Sequence, residues 1–196
     1  MTDRSARRFY IFGGYSLYED ADQSALWHFT PSSAGEGQWN LRTPSDPEMF
    51  RGMQRIHSAA SVSSANAGFM FGGKLVDEDG RRLWKNAKGF LVFNFTTADW
   101  TERKEANDTP YSQDGSVWGA EAVYVEQFGS EGVIFILGGV TRHDDESRGS
   151  IGWQTLWFYD IGSQTWHSQR TKGEDRPLER SHHCAVGVAG NDTYEM

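Results

Sequence analysis

The sequence predicts an all-β chain built from about three repeats of a four-stranded antiparallel unit. Two markers predict it. Three apolar runs end in a glycine pair, Phe9–Gly14, Gly68–Gly73 and Val133–Gly139, and their first glycines, Gly13, Gly72 and Gly138, lie 59 and 66 residues apart. A lone tryptophan follows each run, and Trp39, Trp100 and Trp166 lie 61 and 66 residues apart. Agreement of two independent markers on one period identifies a repeat of about 60 residues.

Each element follows from its residues. The glycine-pair runs are short, rich in Phe, Tyr, Ile and Val, and bounded by Gly, Asp, Asn and Ser, which is strand chemistry rather than helix chemistry. No window holds a 3.6-residue apolar period for ten residues. A second aromatic run follows a polar loop in each repeat: Leu26–Thr30, Leu91–Asn94 and Leu156–Asp160. Asn94 and Asp160 stand where a short turn needs a side chain that bonds its own backbone. A further strand precedes the second and third glycine pairs, at 57–62 and 120–125, and His182–Val188 reads as the same strand of a fourth unit. Four strands per unit of this length make a propeller blade. Blade 1 is expected over about 9–42, blade 2 over 55–104, blade 3 over 118–169, and the first strand of a further blade over 181–189.

The glycine pair, the aromatic strand and the tryptophan six residues after Asn94 or Asp160 resemble the kelch repeat. Leu156–Trp166 followed by Gly173, Pro177 and Arg180–Val186 is the nearest match, and the chain resembles fungal kelch-propeller proteins from Phe9 onward. The resemblance implies a kelch-type β-propeller segment that binds a protein or cell surface; with nucleophile and redox motifs missing, no catalytic role and no cofactor are expected. It also implies an extracellular or membrane-ectodomain setting. Two departures stand out: three extra residues between Thr30 and Trp39, and Leu91 where the other units have Trp27 and Trp157. In a kelch blade Gly13, Gly14, Gly72, Gly73, Gly138 and Gly139 let the backbone turn tightly beside the next blade. Trp39, Trp100 and Trp166 would pack between blades. These nine residues are structural markers, not a site.

Composition narrows the function further. The chain has 196 residues, with 19 Lys and Arg against 27 Asp and Glu, a net charge of −8. An acidic chain without a basic stripe does not track phosphates, so nucleic acid is excluded as a partner. No apolar run reaches the ~18 residues of a membrane span, and the first twelve residues lack a leader's apolar stretch. The single cysteine, Cys184, excludes an internal disulfide and a multi-cysteine zinc site. Asn94, Asn107 and Asn191 each begin an N-glycosylation acceptor, which points toward the secretory pathway.

Long connections carry recognition on a sheet scaffold. Alternating strand direction sends the loops 15–24, 74–88 and 140–154, with the links 43–54, 105–117 and 169–179, to one face. The candidate binding residues there are Tyr15, Tyr18, Asp77, Asp79, Arg81, Arg142, His143 and Asp145; the bland alternative is a set of solvated insertions. Asp77–Gly80 and His143–Glu146 hold oxygen ligands but lack a calcium loop's spacing, so no metal residue is assigned. Arg55–His57 and Arg180–His182 recur at first-strand entries; the recurrence favours a structural reading, with Arg bonding backbone carbonyls of the neighbouring blade and His capping a strand end, over a channel ligand. No nucleophile, phosphate-loop or dinucleotide motif occurs.

Two alternatives accompany the binding module. A copper-radical propeller oxidase would need His182 and His183 on one ion, yet neighbouring strand residues point to opposite faces. A truncated gene product without independent function fits the arithmetic of three blades plus a spare strand. A three-blade ring falls below the usual four to eight, so an open arc is expected, completed by further chain or by self-association through its open edges.

Overall fold

The computed structural model describes residues 1–14, 25–53, 55–76, 82–104, 109–112, 115–142, 148–190 and 193–195. Three four-stranded antiparallel sheets follow one another along the chain, each with its strands in sequence order. The first comprises β1 (Thr2–Asp3), β2 (Arg8–Ile11), β3 (Trp27–Pro31) and β4 (Gly37–Leu41). It starts ahead of the expected boundary at Phe9. β1 is two residues long and has no apolar period to announce it; buried Asp3 ends it by accepting bonds from Ser5 and the Ala6 amide.

The expected loop 43–54 contains a helix, α1 (Pro47–Gly52). Asp46 caps it, its carboxylate accepting from the Glu48 and Met49 amides, and Pro47 opens it. The expected strand 57–62 is split. β5 (Arg55–His57) leaves for a side sheet, Ser58 takes a left-handed φ of 56°, and β6 (Ala60–Ser63) begins the second sheet. That sheet continues through β7 (Ala67–Phe71), leaves it for the hairpin β8 (Lys74–Val76) and β9 (Arg82–Asn86), and returns as β10 (Phe90–Asn94) and β11 (Trp100–Arg103). β5, β8 and β9 form the three-stranded side sheet.

The third sheet comprises β12 (Glu121–Val125), β13 (Val133–Leu137), β16 (Thr155–Asp160) and β17 (Thr165–Arg170). Between β13 and β16 stands a second hairpin, β14 (Val140–Arg142) and β15 (Arg148–Ser150). Asn94 and Asp160 act as read from the sequence: the carboxamide oxygen of Asn94 accepts the Thr96 and Thr97 amides, and Asp160 accepts those of Gly162 and Ser163. The expected strand over 181–189 shrinks to β18 (Val188–Ala189), paired with β19 (Tyr194–Glu195). Residues 184–187 alternate between exposed and half-buried like a strand but join no ladder among the described residues.

Two apolar seams join the sheets. In the first, Tyr10 and Phe12 of the first sheet meet Phe93, Phe95 and Trp100 of the second, with Phe50 from α1. In the second, Phe69, Phe71 and Phe90 meet Ile134, Tyr159 and Trp166, with Tyr111 from the link. The glycine pairs close both seams. Gly14 donates its amide to the Ile56 carbonyl, Gly73 to Val117 and Gly139 to Arg180. A Cβ on Gly13 would stand 2.6 Å from the Ile56 carbonyl oxygen, and Gly13 has a φ of +68°, so only glycine fits.

Trp39 departs from expectation. It pairs with Phe29 as Trp100 pairs with Phe93 and Trp166 with Tyr159, yet it is 51% exposed, because among the described residues no further sheet covers that face. No described helix is long and apolar enough to cross a membrane.

Candidate functional site

Strand order fixes which end of the sheets is elaborated. The turns after Asn94 and Asp160 are tight, whereas the opposite ends carry the hairpins β8–β9 and β14–β15. These hairpins replace the structureless loops expected over 74–88 and 140–154. Short apolar stretches such as Leu75–Val76, both buried, anchor the first of them.

Of the expected binding residues, Tyr15, Tyr18, Asp77, Asp79, Arg81, His143 and Asp145 lie outside the described residues, as do the acceptors Asn107 and Asn191. Arg142 closes β14 with its backbone, opposite Arg148. Asn94 is exposed.

Between the hairpin bases lies a cluster that sequence reading passed over. The Lys74 ammonium stands 3.8 Å from the centre of the Trp118 ring, a cation–π contact. His182 meets the same indole edge-on at 5.4 Å. Backbone bonds hold the pieces in register: Trp118 and Val140 exchange both amide bonds, Gly119 donates to Ser58 and His182 donates to Gly119. Ser58, Gly119 and His182 all have φ between 53° and 64°, so one turn geometry recurs at the entry of each successive unit. The clue to Trp118 was available: it lies outside the tryptophan positions that the repeat accounts for.

Arg55 follows the structural reading. Its guanidinium donates to the Phe50 and Met53 carbonyls and lies over the Phe12 and Phe50 rings. Those carbonyls belong to α1 and its C-cap residue, not to the neighbouring blade as expected. Arg180 similarly donates to the Leu178 carbonyl.

A second feature lies on the far face of the third sheet, a groove of about 410 Å³. Leu137, Leu156 and Trp153 form its apolar wall, the link 171–177 one side, and residues 183–186 the other. Trp153 is fixed by its indole N–H donating to the Leu178 carbonyl, and the Thr171 hydroxyl donates to the Trp153 carbonyl. Lys172, Arg176 and Arg180 stand at the mouth with Asp175. His183 lies against Trp153 at 6.0 Å with neither ring nitrogen hydrogen-bonded. Burial, and then the charge of Arg180, hold its pKa below the ordinary histidine value. His182 and His183 thus address different tryptophans, and Cys184 is exposed. Among the described residues no three His, Cys, Asp or Glu side chains gather as a metal set.

Compared with known proteins, the chain matches no family model and no curated sequence. What the arrangement offers chemically is therefore read from its own geometry: an aromatic and cationic cluster at one end of the sheets, and an apolar groove with a basic mouth at the last sheet.

Proposed function

We propose that the chain is a kelch-type propeller segment that acts as a non-catalytic binding module, recognising a protein or a cell surface through the elaborated end of its sheets. One observation carries the reading. The second and third sheets each extend a paired hairpin beyond their glycine pair on the same side, while the opposite turns are minimal. Recognition loops on a rigid sheet base have this asymmetry. The glycine-pair bonds to Ile56, Val117 and Arg180 support the kelch assignment, because one contact recurs in every unit. Trp118, between Lys74 and His182, supplies an aromatic surface at the hairpin bases, a residue type enriched in binding surfaces.

The resemblance to fungal kelch proteins makes intact fungal cells the first probe. Fluorescently labelled protein should bind them saturably, and replacing 77–81 and 143–147 by Gly-Ser linkers should abolish binding while leaving thermal unfolding unchanged. Absence of saturable binding, or equal binding by the trimmed variant, would overturn the reading. Stoichiometric copper or iron in purified protein would overturn its non-catalytic part.

A further inference from the structure

The two seams share one design, and the first and third sheets each present half of that design on their outer faces. In the first seam Trp100 enters a socket made by Phe12, the residue before a glycine pair, and Phe50 from the link that follows. In the second, Trp166 enters a socket made by Phe71, again the residue before a glycine pair, Phe90 from the third strand, and Tyr111 from the link. The third sheet repeats these positions. Leu137 precedes its glycine pair, Leu156 takes the place of Phe90, and Pro177 comes from its link; all three line the open groove. The groove thus repeats the socket positions, with Trp153 in its wall but no outer-strand tryptophan seated in it among the described residues.

On the first sheet stands a tryptophan that no socket receives among the described residues. Cross-strand register puts Phe9, Phe29 and Trp39 in one row and Ile11, Trp27 and Leu41 in the next, all on one face of the first sheet. Phe9, Ile11, Trp27, Trp39 and Leu41 are 37–62% exposed. An apolar face of that extent marks an interaction surface. We infer that the occupant of the groove is a second copy of this chain, with its Trp39 face seated as Trp100 and Trp166 are seated internally.

Ala185 and Tyr194 already pack against the third sheet, and the Tyr194 hydroxyl donates to the Tyr124 carbonyl of its first strand. The incoming sheet therefore engages the groove with its outer strands, β3 and β4, which carry Trp27, Phe29, Trp39 and Leu41. Because the two surfaces differ, the contact is head-to-tail, and the pair keeps one free groove and one free tryptophan face for the next copy.

Sedimentation velocity over a concentration series tests this. Wild-type protein should show concentration-dependent association beyond the dimer or into a closed ring. Trp39→Glu removes the key, and Val186→Arg charges the groove from a residue 73% exposed; each alone should weaken self-association at least about tenfold. Mixed together they should form a one-to-one complex that grows no further, since one variant keeps the groove and the other the tryptophan face. A misfolded variant cannot produce that rescue. A wild-type monomer at high concentration, a mixture that does not associate, or undiminished association of the Val186→Arg protein would overturn the inference, the last by indicating a symmetric contact between Trp39 faces.

Discussion

The Trp100 indole lies 4.5 Å from the Phe12 ring, centroid to centroid, across the seam between the first and second sheets. The contact joins the outer strand of one unit to the glycine-pair strand of the unit before it. It makes stability a matter of successive sheets rather than of one central core.

Truncating that tryptophan should be costly. Trp100 is 5% exposed, so Trp100→Ala should lower stability by about 3–5 kcal/mol in denaturant unfolding. Trp39→Ala, at the same place in the first sheet but half exposed, should cost less than about 1 kcal/mol in dilute solution. Equal losses would mean that Trp39 is covered.

The glycine seam should be equally selective. Gly72→Ala places a side chain at φ +59° against the Val117 carbonyl and should destabilise by at least about 2 kcal/mol. Gly35→Ala, at φ +82° with open space around it, should cost only the backbone strain, about 1 kcal/mol. Thermal unfolding of the two variants side by side decides the matter.

How much of this was legible in the sequence follows from the range of each interaction. The glycine pairs, Asn94, Asp160 and the aromatic runs act over a few residues, so their roles could be read locally. β1 could not, because its two residues are held by pairing with Phe9 and Arg8 rather than by any pattern of their own. Neither could the exposure of Trp39, which depends on whether another sheet lies beyond the first. Lys74, Trp118 and His182 are far apart in sequence and meet only because successive unit entries bond to one another. Arg55 was legible in part: its recurrence with Arg180 marked a structural position, but its acceptors lie in the preceding link rather than in the neighbouring blade.

The cap of α1 offers a smaller test. Asp46→Ala removes the acceptor of two amides and should cost about 1 kcal/mol. The loss should also loosen Phe50, and with it the Trp100 socket, so Trp100 fluorescence should shift before global unfolding.

Acid should weaken the protein in a defined window. His183, held down by burial and by Arg180, and His28, held down by burial and then by Arg8 and Arg42, both favour the neutral form when folded. Above the ordinary histidine value of about 6.5 neither group affects stability. As pH falls below it the unfolded chain takes up protons first, so stability declines until the lowered folded values are passed. His183→Gln should flatten part of that decline, read as melting temperature against pH. An unchanged profile would remove His183 from the account.

The central claim is an ordered series of sheets joined by a repeated tryptophan seam, with the first sheet's outer face left open by the described residues. Nuclear Overhauser contacts from the tryptophan indoles, recorded on the Val186→Arg protein at low concentration, test it most directly. Contacts from Trp100 to Phe12 and from Trp166 to Phe71, with Trp39 touching only its own sheet at Phe29, are the predicted result. A contact from Trp39 to the third sheet of the same molecule would show the series closed on itself and contradict the claim.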